Sequence, residues 1–84
     1  MSYRVEILPR AAKALKKLPH SEYRRVRDAI RALGGDPRPS GCRKLVGRDG
    51  WRIRVGNYRV IYKIEDTIRV VTVIDAGHRK DIYE

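Results

Sequence analysis

The fold of this chain is decided by one stretch, Trp51-Arg-Ile-Arg-Val-Gly-Asn-Tyr-Arg-Val-Ile-Tyr62. Apolar residues alternate with others along it, which is typical of β-strands that bury one face. The pair Gly56-Asn57 in its middle is a recognised signal for a two-residue hairpin turn. With that pair as the turn, the residues that face each other are Val55 and Tyr58, Arg54 and Arg59, Ile53 and Val60, and Trp51 and Tyr62.

This hairpin has two unlike faces, because directly paired residues point to the same side of a sheet. One face is apolar and should pack on the core; it carries Trp51, Ile53, Val55, Tyr58, Val60, Tyr62 and Ile64. The other, which we call the arginine face, carries Arg52, Arg54, Arg59 and Lys63 around a single Ile61. Like charges placed opposite each other destabilise a strand pair. An anionic ligand bound to the arginine face would explain why these like charges are placed opposite each other.

The bulk composition indicates one small basic domain, residues 1–84, with a modest core. A net charge of +10 favours nucleic acid, an acidic protein or an anionic membrane surface as partner. The lone Cys42 cannot form an internal disulfide. No apolar run approaches the roughly 18 residues of a membrane span, and no signal peptide is evident. We therefore expect a cytoplasmic protein with no membrane-spanning segment. Among the three kinds of partner, we do not expect the membrane.

Upstream of the hairpin, the sequence predicts a strand and two helices. The strand is Tyr3–Leu8, and Pro9 suits the first turn of the helix that follows. Pro19 should end that helix, and Ser21 is a plausible N-cap for the next. Apolar residues recur at helical spacing in both, at Ala11, Ala14, Leu15 and Leu18 in the first and at Tyr23, Val26, Ala29, Ile30 and Leu33 in the second. Two such helices with a short connection form an αα-hairpin.

Between and after these elements, the sequence predicts a loop at Asp36–Gly50 and a strand at Ile68–Ala76 that ends at Gly77. The second of these segments is continuously apolar and β-branched, which favours a central position in a sheet. The order of elements is β-α-α-β-β-β. We therefore predict an α+β fold in which a helical hairpin packs on a small antiparallel sheet.

Familiar catalytic patterns cannot be assembled from this chain. Zinc-ligand spacing, a glycine-rich phosphate loop, a pair of catalytic carboxylates and a Ser-His-Asp set are all missing from the sequence. An arginine-rich sheet face could nevertheless support the cleavage of RNA, which carries its own nucleophile in the 2′-hydroxyl. The protein would need only to align that group and to stabilise charge on the phosphate. Arginine forks match phosphate oxygens bidentately.

The hairpin and the C-terminal segment Gly77-His-Arg-Lys-Asp-Ile-Tyr83 together resemble the RelE family of bacterial and archaeal toxins. That family consists of ribosome-dependent mRNA interferases from type II toxin–antitoxin modules. The segment Gly-x-Tyr-Arg-Val-Ile-Tyr is shared with the wider RelE/ParE superfamily, so it implies the fold. The basic pair before it and the Arg-x-x-x-Tyr ending are similar to the ribonuclease branch.

The resemblance implies a site and a reaction. Arg52 and Arg54 fall where the family has paired lysines, so charge is retained while residue type is not. The implied catalytic residues are Arg52, Arg54, Arg59, Arg79 and Tyr83, the last stacking on or orienting an mRNA base. Arginine does not surrender a proton at neutral pH, so Arg52 and Arg54 are unsuited to act as general bases. The implied reaction is transesterification by the 2′-hydroxyl in the ribosomal A site, with no cofactor and no metal.

Basic residues elsewhere should contact RNA, and the family implies two kinds of partner. The expected RNA-binding residues are Lys13, Lys16, Lys17, Arg24, Arg25, Arg43, Lys44, Arg48, His78 and Lys80. The implied partners are the ribosome with its small-subunit RNA and mRNA, and an acidic RelB-like antitoxin in a heteromeric complex. A disordered acidic segment could fold on a cationic surface of this kind.

Other interpretations of the same residues remain open. The chain could be a ParE-like inhibitor of DNA gyrase that performs no chemistry, or an RNA-binding domain without activity. Arg59 could pair with an acid such as Asp75 rather than a ligand. His78 could move a proton or could serve a structural or phosphate-contacting role. The basic side of the helices could be an ordinary solvated face.

Overall fold

The computed structural model describes residues 2–78 and residue 80, and it contains the predicted hairpin. Strand β3 runs from Trp51 to Val55 and strand β4 from Tyr58 to Glu65. The four facing pairs expected from the sequence are all confirmed, and Arg52 faces Ile61. Gly56 adopts a φ of 61°, a left-handed conformation that glycine enters at a hairpin turn without steric cost.

The apolar face of the hairpin lies in the core, as predicted. Ile53, Val60 and Tyr62 are buried there, and the remaining apolar residues of that face pack at its margin. Alternation with period two is therefore enough to separate core from outer face in these strands, because the turn between them sets their register.

The last strand is central, as its continuous apolar character predicts. Strand β5 runs from Val70 to His78 and lies between β4 and β1, the latter formed by Arg4–Ile7. It begins two residues later than expected, because the chain turns at positions 66–69 and Arg69 has a φ of 55°. The strand also continues past Gly77, the residue at which the sequence predicts that it ends, and reaches His78. A bulge shifts the β4–β5 register between Ile61 and Tyr62.

The α+β class is confirmed, but the sheet differs from expectation in two details. It has five strands in the order β1-β5-β4-β3-β2, and β1 pairs with β5 in parallel. A parallel pair needs a long connection between its strands, which the two helices and the hairpin here provide. The extra strand, β2, consists of Arg43–Lys44 within the segment expected to be a loop, and it pairs antiparallel with β3.

Two helices form the layer that covers the apolar face of the sheet. Helix α1 runs from Pro9 to Lys16 and helix α2 from His20 to Ala32. The expectation that Ser21 caps α2 is wrong: Pro19 occupies the N-cap position and no side chain caps the helix. Proline suits the extended backbone at that point, so the helix begins earlier than a serine cap at position 21 would allow. The helices bury Ala11, Leu15, Val26, Ile30 and Leu33 against the sheet.

A second, smaller apolar cluster lies on the opposite side of the sheet. Leu45, which follows β2, covers Ile61, and Ile74 packs beside them. This explains the single apolar residue on the arginine face, since the segment before β3 folds over part of that face. Neither helix in the described part of the chain has the length and apolar character needed to cross a membrane.

Candidate functional site

The hairpin register brings three of the predicted catalytic arginines together. Arg52, Arg54 and Arg59 all point away from the helices, since their neighbours along each strand lie in the core. Arg54 and Arg59 are directly opposite, which sets their Cα atoms about 5 Å apart. Arg52 lies two residues from Arg54 on the same strand, a step of about 7 Å. The three side chains therefore start from one small area of the arginine face.

These arginines differ in exposure. Arg52 is only 8 % exposed, Arg59 is half-buried and Arg54 is exposed. The Nε atoms of Arg52 and Arg59 are buried. Burial of the inner part of a long side chain restricts its rotamers. The guanidinium groups of Arg52 and Arg59 therefore have fewer accessible orientations than that of an exposed arginine.

A fourth arginine joins this group through β2. Arg43 is directly opposite Arg52 in the β2–β3 pair, so both lie on the same side of the sheet. A cleft of about 610 Å³, which we call the arginine cleft, opens here. It is lined by Ser40, Gly41, Arg43, Arg52, Ile53 and Arg54. None of these lining residues is acidic. The cleft therefore offers a dense positive field to an anionic ligand.

Hydrogen bonds and a cation–π contact hold the segment before β2, at Pro37 and Arg38, against the sheet and the turn after β4. The Arg38 guanidinium donates two hydrogen bonds to the Asp66 carboxylate, at 2.9 and 3.2 Å. The same guanidinium lies 5.1 Å from the centre of the Trp51 ring. One residue earlier, the carbonyl of Pro37 accepts a hydrogen bond of 2.8 Å from the buried hydroxyl of Tyr62. These interactions position the chain just before the cleft.

The protonation behaviour of this network follows from its hydrogen bonds. Donation by Arg38, and secondarily by the Tyr3 hydroxyl at 2.7 Å, lowers the pKa of Asp66 to about 2. The hydrogen bond with Asp66 in turn raises the pKa of Arg38 and that of Tyr3. Burial raises the pKa of Tyr62, and the adjacent Cys42 adds to this effect. The Tyr62 phenol therefore stays protonated and keeps its hydrogen bond to Pro37.

The carboxylate of Asp75, considered above as a partner for Arg59, is engaged by the helical layer. It lies 3.2 Å from the guanidinium of Arg10 on α1, and it also accepts a hydrogen bond from the backbone N–H of Ala76. In the β4–β5 pair, the residue opposite Arg59 is Gly77. Glycine has no side chain, so β5 places no side chain directly opposite Arg59 at this position.

His78 lies on the other side of the sheet from the arginines. It is opposite Tyr58, a residue of the apolar face, and the two rings meet edge to face at 5.7 Å. Its Nδ1 accepts a hydrogen bond of 3.1 Å from the backbone N–H of Lys80. The two rings line a cleft of about 430 Å³ beside Arg10 and Lys17. His78 is therefore placed against α1, on the face of the sheet opposite the arginine cleft.

The basic residues expected to bind RNA are spread over several surfaces. Lys13, Lys16 and Lys17 are exposed on and just after α1, and Arg24 and Arg25 are exposed on α2, all on the helical layer. The Arg25 guanidinium reaches the hairpin turn, where it lies 3.4 Å from the position that a Cβ on Gly56 would take. Only Arg43 of this set enters the arginine cleft.

Four further predicted residues lie outside the arginine cleft or outside the described chain. Lys44 lines a separate cleft of about 470 Å³ together with Arg38 and Trp51. Arg48 is exposed in the connection between β2 and β3. Arg79 and Tyr83, the two predicted catalytic residues of the C-terminal segment, lie outside the described residues.

Ser40 and Gly41 line the cleft although the sequence does not indicate them. Arg43 lies beside Arg52, whereas the sequence indicates it only as a general RNA contact. A strand of two residues is too short for alternation to reveal it. The one signal in the sequence was Pro37-Arg-Pro39 followed by Gly41, which marks a turn immediately before a basic pair. Within residues 2–78 and residue 80, His, Cys, Asp and Glu side chains form no group of three that could hold a metal ion.

Comparison with known proteins identifies the class of the molecule. The model of the ParE toxin family of type II toxin–antitoxin systems, parDE, matches residues 5–83. The chain belongs to this family of toxins, within the RelE/ParE superfamily.

Individual relatives cover nearly the whole chain. It is 31 % identical over 88 residues to a protein of Methanocaldococcus jannaschii that carries the name RelE1, spanning 100 % of this chain and 98 % of the relative. It is also similar to the archaeal RelE–RelB complex from Pyrococcus horikoshii OT3, with 34 % identity, a TM-score of 0.84, and coverage of 98 % of this chain and 100 % of the other. The toxin–antitoxin complex RelBE2 from Mycobacterium tuberculosis matches with 27 % identity and a TM-score of 0.82, over 94 % of this chain and 100 % of that one.

Proposed function

We propose that this toxin is an endoribonuclease that cuts mRNA in the decoding site of the ribosome. The observation that carries the proposal is the convergence of Arg52, Arg54 and Arg59 on one face of a single hairpin. Like charges in adjacent strands cost stability. A phosphodiester on this face would offset that cost, because a guanidinium fork and a phosphate form charge-assisted, bidentate hydrogen bonds.

In the proposed reaction the RNA supplies its own nucleophile. The 2′-oxygen forms a bond to phosphorus while the bond from phosphorus to the 5′-oxygen breaks. The products are a 2′,3′-cyclic phosphate and a 5′-hydroxyl. The 2′-hydroxyl loses its proton and the leaving 5′-oxygen gains one, so no water is consumed in this step. Negative charge builds on the non-bridging oxygens, where Arg54 and Arg59 would stabilise it more strongly than in the ground state.

Proton transfer in this mechanism is assigned to groups other than the hairpin arginines, because guanidinium remains protonated at neutral pH. His78 is also a poor choice, since it lies against α1 and its Nδ1 already accepts a hydrogen bond. We assign proton transfer to water in the open cleft. The proposed enzyme therefore works chiefly by electrostatic stabilisation and alignment, with Arg79 and Tyr83 contributing as the RelE resemblance implies.

The partners proposed for this chain follow from its charge and its relatives. Two of the similar structures are RelE–RelB or RelBE toxin–antitoxin complexes. With a net charge of +10, this toxin should bind an acidic antitoxin, and separately the RNA of the small ribosomal subunit. A short acidic reading frame beside its gene would support the first of these.

The proposal is tested by mapping cleavage on programmed ribosomes. Purified protein is incubated with ribosomes carrying a defined mRNA, and new 3′ ends are located and chemically typed. We expect 3′ ends that carry a 2′,3′-cyclic phosphate at a position within the A site. An mRNA with a single 2′-deoxynucleotide before that position should resist cleavage, since it lacks the nucleophile. Intact mRNA, or ends that carry a 3′-hydroxyl, would overturn the proposal.

A matched pair of variants controls for net charge. Arg54→Ala removes a cation from the arginine face, whereas Arg31→Ala removes an exposed one from the last turn of α2. Only the first should lower cleavage strongly, by about 10²–10³-fold. Equal loss in both variants would assign the activity to general charge rather than to this site.

A second candidate function is ParE-like inhibition of DNA gyrase without chemistry, and the matching family model is the observation in its favour. A supercoiling assay with purified gyrase separates the two functions. Gyrase inhibition that survives Arg54→Ala, together with intact mRNA on ribosomes, would establish this alternative in place of the ribonuclease.

A further inference from the structure

We propose that His78 is a pH-sensitive positioning residue. Its hydrogen bond with the backbone of Lys80, which we call the anchor, holds the chain where it leaves β5. The position between these two residues is 79, where the RelE resemblance implies a catalytic arginine. The anchor should hold while the His78 imidazole is neutral and should be lost when the ring is protonated. The effect on cleavage rests on the proposed function, whereas the anchor itself can be measured without it.

The imidazole of His78 is held by the sheet. His78 is the last residue of β5 and lies directly opposite Tyr58, the first residue of β4. The two rings meet edge to face, with their centres 5.7 Å apart and their planes at 80°. Aromatic pairs of this geometry are favourable, and each ring restricts the rotamers of the other. The His78 ring therefore has a defined position relative to two paired strands.

The anchor connects this ring to the chain beyond the strand. The Nδ1 atom of His78 accepts a hydrogen bond of 3.1 Å from the backbone N–H of Lys80. Residues 78 and 80 are the immediate neighbours of position 79 on either side. Both neighbours are thus tied to the sheet by one side chain. A side chain that starts from a fixed backbone loses less conformational entropy when it engages a reacting group.

The anchor depends on the charge of the imidazole. In a neutral ring one nitrogen carries the proton and the other accepts, so the proton of His78 lies on Nε2 while Nδ1 accepts. In an imidazolium both nitrogens are donors. Protonation would therefore place an N–H against the N–H of Lys80, and the hydrogen bond would be lost. Imidazole is the side chain that ordinarily changes charge between about pH 5 and 8, so the anchor should respond near neutrality.

The titratable groups described beside the ring are two cations, a phenol and one carboxylate. Arg10 of α1 and Lys17, which follows that helix, line the cleft together with the ring, and Tyr58 contributes the phenol from β4. Asp75 is the acid among the described lining residues. Its carboxylate lies 3.2 Å from the Arg10 guanidinium and accepts a hydrogen bond from the backbone N–H of Ala76. Because this acid is already engaged, we expect protonation of the ring to break the anchor rather than to form a new ion pair.

The anchor is tested by nuclear magnetic resonance on the purified toxin labelled with ¹⁵N. The ring nitrogens of His78 and the backbone amide of Lys80 are followed in the same samples from pH 8 to pH 5. We expect the Lys80 amide to shift with the same midpoint as the ring. At pH 8, exchange of that amide with water should be roughly threefold to tenfold faster in His78→Ala, as the loss of one hydrogen bond predicts. An amide that does not follow the ring, or that exchanges equally fast in both proteins, would refute the anchor.

Two substitutions at position 78 separate the acceptor from the titrating group. His78→Ala removes the acceptor, whereas the side-chain oxygen of His78→Asn can accept from an N–H two residues further on and does not titrate. On programmed ribosomes, kcat of His78→Ala should fall by roughly threefold to tenfold at pH 8, and His78→Asn should recover most of that loss. The ratio of the wild-type rate to the His78→Asn rate should fall by a similar factor between pH 8 and pH 5.5, because only the wild type loses its anchor.

His20→Asn is the matched control. It removes the other histidine of the chain, which is exposed at the first residue of α2. Its rate should equal that of the wild type at every pH. Taking ratios of rates removes the pH dependence of the ribosome itself, and thermal melts verify that each variant is folded.

The outcomes distinguish failure of the anchor from failure of the proposed function. If mRNA is cut but the Lys80 amide does not follow the His78 ring, the anchor is refuted and the ribonuclease stands. Equal rates in His78→Ala and His78→Asn, or a constant ratio of wild type to His78→Asn across pH, would refute a positioning role in cleavage. If the amide follows the ring while mRNA stays intact, the anchor stands and the ribonuclease is refuted.

Discussion

Arg54 and Arg59 illustrate a conflict between stability and function at the scale of single residues. They face each other across a tight hairpin, where their charges repel. Residues that oppose local stability in this way are commonly found at binding and catalytic sites. The cost is small for each pair, on the order of 1 kcal/mol or less.

The first prediction concerns Arg54→Ala. Removing one preorganised donor to a developing oxyanion typically lowers kcat by about 10²–10³. We therefore expect cleavage on programmed ribosomes to fall by about that factor, while the melting temperature stays equal or rises because the repulsion with Arg59 is removed. Single-turnover rates and thermal melts of the same preparation measure the two effects. A variant that is inactive because it is unfolded would contradict this explanation.

At the scale of elements, the two-residue strand β2 contributes more than its length suggests. It brings Arg43 beside Arg52, and the Leu45 that follows it covers Ile61 on the outer side of the sheet. Its return to β3 depends on Gly50, which has a φ of 130°. A Cβ on Gly50 would lie 3.0 Å from Cδ1 of Leu45 and 3.2 Å from the carbonyl oxygen of Tyr62. The placement of β2 therefore requires glycine at this position.

The second prediction compares Gly50→Ala with Gly47→Ala. Gly47 also has a left-handed φ, of 75°, but nothing lies within 4 Å of its would-be Cβ. Both variants should be strained, by about 1–3 kcal/mol, and Gly50→Ala should be destabilised further because of its two close approaches. Chemical denaturation of both variants measures the difference. Equal destabilisation would mean that backbone strain alone accounts for the glycine at position 50.

The third prediction concerns the acid dependence of the Arg38–Asp66 ion pair. The folded-state pKa of Asp66, about 2, lies below the value of about 3.9 that an unfolded aspartate has. The group therefore adds stability above about pH 4, and this contribution disappears as the pH falls towards 2. Asp66→Asn should be less stable than the wild type at neutral pH, and the difference should shrink across that window.

Asp28→Asn provides a control with the same change in net charge. The ion pair of Asp28 is with its neighbour in sequence, Arg27, so it does not join separate elements. Denaturation from pH 7 to pH 2 should reveal the converging behaviour for Asp66→Asn and a much smaller effect for Asp28→Asn. Parallel curves for wild type and Asp66→Asn would contradict a role for the ionised carboxylate.

At the scale of the whole molecule, positive charge covers both layers. The arginine face lies on one side of the sheet, and the exposed lysines of α1 lie on the helical layer that covers the other side. A protein of this charge, +10 over 84 residues, should be attracted to a large RNA from several directions. The two surfaces should nonetheless contribute differently, because only the arginine face is proposed to hold the reacting phosphate.

The fourth prediction separates those contributions with the double variant Lys13→Gln/Lys16→Gln. If these lysines bind RNA phosphates, the slope of log K against log salt should become shallower by about one for each phosphate that is no longer neutralised. The rate at saturating ribosome concentration should not change. Binding is measured by salt titration and the rate by single-turnover cleavage, with Arg31→Gln as a control on α2. A reduced saturating rate would place these lysines in the chemistry instead.

Local pattern was sufficient for the hairpin, for the two helices and for the α+β class. Each depends on partners close in sequence: alternation about a Gly-Asn turn sets the β3–β4 register, and helical spacing sets the buried stripe. The three hairpin arginines could accordingly be placed together from the sequence, because one turn determines which residues share a face. The family resemblance supplied the roles of Arg79 and Tyr83, which no periodicity could indicate.

The remaining features were decided only by the tertiary structure. The parallel pairing of β1 with β5 joins segments that are far apart in the chain. The bulge at Ile61 and the meeting of Arg43 with Arg52 lie between strands that are close in sequence, but local alternation does not indicate them. A strand of two residues is too short to have a detectable period. The position of β2 depends on the packing of Leu45 against Ile61, and on Gly50, which allows the chain to turn back into β3. The arginine face was therefore encoded in one hairpin, whereas the cleft upon it required the whole fold.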